Sequence, residues 1–410
     1  MKKNMFYILM ISTIISLTYA SYPQEKDKSE FGITFNGYVR TDFFYDTRQT
    51  VSLREGHFLL YPANELLDKN GEDVNAKINF NLLSIQTRLT GKITGPEFLG
   101  AKTSGTIEAE FFGTSETDVN GFRLRHAFVN MKWASTSLLV GQTWHPLFIA
   151  DMFPNVVSFN TGVPFLPFAR CPQVKLTQSL GSVNLIAVVA GQRDFTSNGP
   201  SGFSSSYLRN SGLPDLHFQL QYKSDNLLLG AGVDYKILQP RVVTVKNIKT
   251  DETIGGLTSI AYLKIKASPV TFSLQGIYGQ NATDLMMLGG YAVKAIDSTT
   301  GKEEYTNLNS YSIWSEIYFG NELQFGLFGG YTKNLGSSDN IVGAPYTRVS
   351  NIDNIMRIAP RVQLTSGSTR FALELEYTSA GYGTLDKNGK VINPKNINNV
   401  RTLLAVNYFF

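Results

Sequence analysis

The chain has 410 residues, of which 42% are hydrophobic and 12% aromatic, and its single cysteine, Cys171, excludes a disulfide within the chain. A formal net charge of +4 does not indicate a nucleic-acid-binding protein. Beyond residue 20, no segment reaches the run of about eighteen apolar residues that a membrane-spanning helix requires, so helical spans are excluded as well.

The N-terminus has the three parts of a secretory signal peptide. Residues 1–3 form a short basic region, residues 5–17 are mostly apolar, and Thr18 and Ala20 place small residues at the two positions that a signal peptidase recognises. We predict a signal peptide over residues 1–20 and a short linker over 21–31. The alternative is a membrane anchor, but the apolar run is shorter than the ~20 residues that a spanning helix needs.

From residue 32 onward the chain contains about sixteen runs in which apolar and polar residues alternate, a pattern typical of β-strands. In the first run, residues 32–46, the apolar face carries Ile33, Phe35, Val39, Phe43 and Tyr45. The last run, residues 400–410, repeats the alternation and ends on an aromatic residue. Periodicity does not identify the inner face, because a soluble β-sandwich alternates too.

The connections between these runs alternate between short and long. Short turns are expected near residues 134–136, 180–182, 224–226, 268–269, 320–321 and 366–368, with a somewhat longer connection at 95–102. Long connections are expected at residues 47–76, 145–172, 194–215, 238–256, 281–309, 334–353 and 380–398, with a shorter one at 114–120. Strict alternation brings the long connections to one end, as in outer-membrane barrels with short periplasmic turns and long external loops.

Aromatic residues cluster at strand ends, as at residues 43–45, 318–319 and 408–410, where their rings suit the two membrane interfaces. We therefore predict an all-β protein, a transmembrane antiparallel β-barrel of about sixteen strands over residues 32–410, with room for an aqueous lumen. The alternative is the aromatic core of a soluble β-domain. The fold predicts the outer membrane of a Gram-negative-type envelope as the location and outer-membrane lipid as a partner.

Two motifs and the terminal Phe410 make the chain resemble the trimeric sixteen-stranded general porins, and more narrowly the DcaP-like porins. The motifs are Gly-Phe-Arg-Leu-Arg-His-Ala-Phe at residues 121–128 and Leu-Leu-Val-Gly-Gln-Thr-Trp at 138–144. The resemblance implies a homotrimer. It also implies that the loop after the fifth strand folds into the barrel and narrows it. By strand count that loop is residues 145–172.

The composition of residues 145–172 agrees with an inward-folded loop. Residues 145–154 and 163–168 are largely apolar, whereas a solvated loop should be polar. Asp151 and Arg170 are its main charged side chains and are candidates for the pore constriction, and Arg123 and Arg125 join them through the family motif. The alternative is a loop that covers a subunit contact.

Strand parity predicts further charged side chains on the pore wall. The basic candidates are Arg40, Arg88, Lys264, Lys266, Arg357, Arg361 and Arg401, and the acidic candidates are Asp42, Glu316, Glu374 and Glu376. A lumen lined by mixed charges admits small hydrophilic solutes, so we predict a porin for passive diffusion. The alternatives are a substrate-specific channel for an anion or sugar, and a non-transporting barrel that serves adhesion or envelope structure.

The sequence does not indicate an enzyme or a cofactor. The four histidines lie in different segments without metal-ligand spacing, and neither a G-x-S-x-G element nor a phosphate-binding loop is present. No metal site, no cofactor and no nucleic-acid partner are therefore predicted. For the expected homotrimer, residues 103–113, with Ile107, Ala109 and Phe111 on one face, are a candidate part of the subunit contact.

Overall fold

The computed structural model describes residues 31–410, so the predicted signal peptide (1–20) and all but the last residue of the predicted linker (21–31) lie outside the described residues. Within residues 31–410 the chain forms a short helix, α1 (Ser206–Ser211), and many β-strands. The strands are β1 (Gly32–Asp46), β2 (Thr50–Leu53), β3 (Phe58–Pro62), β4 (Asn79–Leu83), β5 (Arg88–Phe98), β6 (Ala101–Glu110), β7 (Arg123–Lys132), β8 (Thr136–Trp144), β9 (Arg170–Leu180), β10 (Val183–Ala190), β11 (Asp215–Lys223), β12 (Leu227–Leu238), β13 (Ile254–Ala267), β14 (Val270–Gln280), β15 (Gly290–Ile296), β16 (Glu303–Gly320), β17 (Leu323–Gly336), β18 (Val342–Thr347), β19 (Ile352–Ser366), β20 (Thr369–Leu385) and β21 (Val391–Phe409). No helix in this part of the chain is long and apolar enough to cross a membrane.

Sixteen of the strands close into an antiparallel barrel, which confirms the predicted fold class. Neighbours in the wall follow chain order, and β1 closes the ring by pairing with β21 on one side and with β4 and β5 on the other. In the closing pair, Tyr38 lies opposite Phe409 and Asp46 lies opposite Arg401. Strand β4 continues the line of β5 along β1, whereas β2, β3, β15 and β18 belong to the long connections.

The burial pattern of the wall strands is the reverse of that in a soluble protein. In β20, Phe371, Leu373 and Leu375 are exposed, while the intervening Glu374 and Glu376 are 1% exposed each. The charged side chains therefore point into the barrel and the apolar side chains point outward, as in a barrel whose outer wall faces lipid. This observation resolves the question that periodicity alone left open.

The tight turns at one end of the barrel lie where the sequence predicts them, whereas the prediction of one long connection is wrong. The segment 380–398 is not a loop, because β20 extends to Leu385 and β21 begins at Val391, with a turn at 386–390. With 17 and 19 residues, these two strands are among the longest of the wall. Outside the lipid layer the outward face need not be apolar, so the alternation that reveals a strand disappears there.

Three segments from the long connections lie inside the barrel: the inner hairpin (residues 50–62, β2 and β3), the inner loop (residues 145–169) and the third insert (residues 281–288). Their apolar side chains form one core. Phe58 of the hairpin contacts Phe159 and Phe168 of the inner loop, with ring centroids 5.6 and 5.2 Å apart. The backbone N–H of Phe168 donates to the carbonyl of Leu285 in the third insert at 2.9 Å. Much of the lumen is therefore filled.

Candidate functional site

The inner loop is held by carboxylates that project from the opposite wall. The backbone N–H groups of Val157 and Ser158 donate to the two oxygens of Glu374 at 2.8 and 2.9 Å. The N–H of Asn155 donates to Glu316 at 2.9 Å. A loop lacks regular backbone pairing, so its buried N–H groups need such acceptors. These two predicted wall carboxylates therefore position the inner loop inside the lumen.

Guanidinium groups of the wall bind the carbonyl groups of the same inserts. Arg40 donates to the carbonyl of Val157 at 2.6 Å, and Arg357 donates to those of Val163 and Leu60 at 2.6 and 2.8 Å. Arg357 thus joins the inner loop to the inner hairpin. The backbone of both inserts is fixed by wall charges of both signs.

The charged side chains predicted for the wall lie inside the barrel, except Lys266, which is exposed near the end of β13, and most are neutralised by each other. The buried ion pairs are Arg40–Asp42 (2.6 Å), Arg361–Glu316 (2.8 Å) and Arg357–Glu376 (2.6 Å). Lys264 is only partly buried and donates to the carbonyl of Asp151 at 3.0 Å. Pairing of this kind satisfies buried charges and leaves the net potential of this part of the wall low.

Three of the four residues predicted for the constriction come together in what we call the arginine cluster. It consists of Arg88, Arg123, Arg125, Arg170, Glu108, Glu110 and Asp194. Its shortest contacts are Arg88–Glu110 (2.8 Å), Arg123–Glu110 (2.7 Å), Arg125–Glu108 and Arg125–Glu110 (2.7 Å each) and Arg170–Asp194 (2.6 Å). Four guanidinium groups face three carboxylates, so the cluster has one excess positive charge.

Aromatic rings support the guanidinium groups of this cluster. The ring of Trp144 lies 5.0 Å from the guanidinium carbon of Arg170 and 5.5 Å from that of Arg125. Arg123 lies 4.7 Å from the ring centroid of Phe112. Contacts at this distance are favourable and restrict the planes of the side chains. They explain why Trp144, the last residue of the second sequence motif, belongs to the site.

The arginine cluster borders two cavities. The first, of about 190 Å³, lies toward the short-turn end and is lined by Arg88, Arg125 and residues 153–159 of the inner loop. The second, of about 720 Å³, lies toward the long connections and is lined by Arg123, Asp194 and residues of the outer loops. Arg125 lines the first cavity and Arg123 lines the second, so the cluster lies between them.

The fourth predicted constriction residue, Asp151, lies apart from the cluster. Its carboxylate forms an ion pair of 2.8 Å with Lys223 at the short-turn end of β11, and both side chains are about half exposed. Asp151 and Arg170 are expected together because both lie in the predicted loop. They are separated in the structure, since Arg170 is already the first residue of β9.

Asp194 carries the negative charge that lies on the outer side of the cluster. Burial opposes ionisation of this carboxyl group, but the guanidinium groups of Arg170 and Arg123 outweigh it and hold the pKa of Asp194 below its usual range. Asp194 therefore stays ionised at neutral pH and offsets part of the positive charge.

Several residues of this site are not among the candidates for the constriction named from the sequence. Glu108 and Glu110 point to the same side of β6, as their spacing of two residues predicts. They face Arg123 and Arg125 of the next strand. Asp194 lies in a loop without a signal of its own. The inner hairpin and third insert could have been identified by their apolar stretches, residues 58–62 and 285–288, because the same criterion selected the inner loop.

These features define a membrane-spanning barrel with a partly filled, charge-lined lumen, and solved structures of the same fold are known. The outer membrane channel DcaP of Acinetobacter baumannii is 15% identical with a TM-score of 0.68, covering 96% of this chain and 100% of that one. The trimer form of OmpT, an outer membrane protein of Vibrio cholerae, is 11% identical with a TM-score of 0.54, covering 93% and 99%. OmpF of Salmonella typhi, solved with daunomycin, is 11% identical with a TM-score of 0.50, covering 92% and 97%.

These similarities concern the fold alone, because identities of 11–15% are too low to transfer function. No protein-family model and no curated protein sequence matches the chain. The function therefore has to be argued from the site.

Proposed function

We propose that the protein is an outer-membrane porin through which small hydrophilic solutes diffuse passively. The proposal rests on the position of the arginine cluster. The cluster lies between two cavities, and the wall that holds the inner loop lies opposite it. The apolar inserts fill much of the lumen, and the cluster presents charged side chains to both cavities, so we assign it as the region that hydrated solutes pass.

In this proposal the inner loop narrows the lumen and the arginine cluster sets charge preference. Arg123, Arg125 and Arg170 form the constriction, and the ion-paired wall residues keep the opposite side in place. The excess positive charge should raise the local concentration of anions and lower that of cations. We propose this passive channel rather than an enzyme, with no cofactor required.

The proposal can be tested by recording single channels in planar bilayers under a salt gradient. Replacing both Arg123 and Arg125 with Gln should shift the reversal potential toward cation selectivity and change the size cutoff little, because Gln occupies a similar volume. The shift should shrink at 1 M salt, where the Debye length is about 3 Å. The matched control is Arg241→Gln with Lys395→Gln, which removes one positive charge from an outer loop and one from the outer end of β21, where they pair with Glu303 and Glu65.

The same recordings distinguish the alternatives. A substrate-specific channel would show block by its anion or sugar at low concentration, and an adhesive or structural barrel would show no conductance steps. Unchanged reversal potential in the Arg123/Arg125 variant would contradict the assignment of the constriction to the arginine cluster.

We further propose that the protein is a homotrimer in outer-membrane lipid. On the outer wall, Ile107 and Phe111 are exposed, and the Phe111 and Phe122 rings lie 4.8 Å apart. Ala109 is buried, because the pairing of β6 with β7 shifts register between Glu108 and Ala109. Light scattering of the protein in mild detergent should give the mass of three chains, and Ile107→Arg should reduce it to one. A monomeric wild-type protein would contradict the proposal.

A further inference from the structure

A histidine and two aspartates from separate parts of the chain meet inside the barrel, away from the arginine cluster. His145 is the first residue of the inner loop, Asp215 is the first residue of β11, and Asp234 lies in β12. One ligand atom of each lies within 4.8 Å of the other two, and all three residues are at most 4% exposed. Neither the pore path nor the anchoring of the inner loop uses these side chains.

The carboxylates of this group are only partly compensated by the described residues. Asp215 Oδ1 and Asp234 Oδ2 are buried without a hydrogen-bond partner in the part of the chain that the structure describes. The neighbouring cation, Lys236, is engaged in an ion pair with Asp284. Two buried carboxylates side by side, with imidazoles as their other neighbours, are costly unless a cation or a proton joins them.

The imidazole of His145 directs its Nε2 at Asp215. Its Nδ1 accepts a hydrogen bond from the backbone N–H of Leu147 at 3.3 Å, so Nε2 carries the ring proton and faces Asp215 Oδ2 at 3.5 Å, and a metal ion bound at Nε2 would displace that proton. On the other side, His217 Nδ1 lies 3.3 Å from Asp234 Oδ2. His217 has the usual arrangement of a metal-binding histidine, because its Nε2–H donates to Gln219 Oε1 at 3.1 Å and its Nδ1 keeps a lone pair.

We propose that His145, Asp215 and Asp234 bind a divalent transition-metal ion, with His217 as the adjacent fourth donor. One or two imidazole nitrogens and two carboxylates suit Zn²⁺ and related ions, whereas Ca²⁺ and Mg²⁺ prefer oxygen ligands alone. A small inward movement of the three side chains gives ligand distances of about 2.0–2.2 Å. Such an ion would fasten the first residue of the inner loop to β11 and β12.

A second buried histidine–aspartate pair in the barrel provides a contrast. His57 Nε2 lies 2.9 Å from Asp42 Oδ2, but Arg40 already neutralises that carboxylate at 2.6 Å. Compensation by a guanidinium group leaves no place for a metal ion. His57→Gln is therefore a matched control that removes a buried histidine next to an aspartate without touching the proposed metal site.

The test uses the full-length mature protein, prepared without a polyhistidine tag and treated with a chelator, in detergent micelles. Zn²⁺ titration by calorimetry should give one ion per chain for the wild type and for His57→Gln. His145→Gln and Asp234→Asn should each weaken binding by about 100-fold or more, since each removes a ligand, and loss of outer-shell partners alone costs 10–100-fold. Replacing Zn²⁺ with Co²⁺ should give the visible absorption of a low-coordinate nitrogen–oxygen site, absent in both site variants.

Folding is monitored in parallel by the migration of unheated samples on gels, and Asp215→Asn serves as a further variant where His145→Gln does not fold. Wild-type protein that binds no Zn²⁺ would overturn the proposal and leave the aspartates joined by a proton. Binding that survives in the folded site variants, or Ca²⁺ and Mg²⁺ binding as tightly as Zn²⁺, would overturn it as well.

Discussion

Arg123 and Arg125 donate hydrogen bonds to the same oxygen atom, Oε1 of Glu110, each at 2.7 Å. The two guanidinium groups lie on one face of β7 and line different cavities, Arg125 the inner one and Arg123 the outer one. Two like charges so close together repel each other, and a shared buried carboxylate is what holds them there. Glu110 therefore both organises the cluster and limits its positive charge.

Replacing Glu110 with Gln should increase the preference of the channel for anions. The substitution keeps the shape of the side chain but raises the excess charge of the cluster from one to two, which increases the local anion concentration. The reversal potential in a salt gradient measures the shift. Glu65→Gln removes a negative charge of the outer loops, where Glu65 pairs with Lys395, and should leave the potential unchanged. A shift toward cations would contradict the proposed role of the cluster.

Asp194→Asn should lower stability in a pH-dependent manner. Asp194 accepts two hydrogen bonds from the fully buried Arg170, and loss of one partner of such a pair costs about 3 kcal/mol. Because the pKa of Asp194 is lowered in the folded state, its contribution is complete above the unfolded-state pKa of about 3.9 and is lost as the pH falls through the folded-state pKa. Urea unfolding in micelles should show a constant difference from pH 7 to about pH 5 that shrinks below about pH 4. A difference that grows on acidification would contradict this assignment.

The fold could be predicted because a lipid-facing wall imposes a period of two, and that pattern is local to each strand. The site could be predicted only in part. Arg123 and Arg125 share a parity and a motif, but Asp194 reaches them across space from a loop. The ion pairs of the wall, such as Arg361 with Glu316, join residues 45 positions apart on strands that are not adjacent in the wall. His145, Asp215 and Asp234 likewise have no shared spacing, because the closure of the barrel and the entry of the inner loop bring them together.

Gly141→Ala should destabilise the barrel near the arginine cluster. Gly141 has a φ of +136°, and a Cβ atom there would lie 2.3 Å from the carbonyl oxygen of Ala127 on the neighbouring strand. The combined clash and backbone strain should cost about 2 kcal/mol or more. Gly276→Ala on β14 is the control, because a Cβ atom there has no neighbour within 4 Å. Urea unfolding of both variants measures the difference, and equal midpoints would show that the backbone at Gly141 adapts without strain.

Shortening the inner loop should widen the channel. With fewer residues between His145 and Ala169, less of the lumen is occupied. Conductance should therefore rise and larger sugars should pass in liposome swelling, because a hydrated pore conducts in proportion to its narrowest cross-section.

Glu374→Ala tests the attachment of the inner loop to the wall without a deletion. It removes the acceptor of the Val157 and Ser158 N–H groups, so the loop should loosen and the current should fluctuate more. An equal shortening of the outer loop 239–253 is the control and should change neither property. Unchanged conductance and cutoff in the first variant would mean that the inner loop does not limit passage, and the narrowest point would then have to lie at the arginine cluster alone.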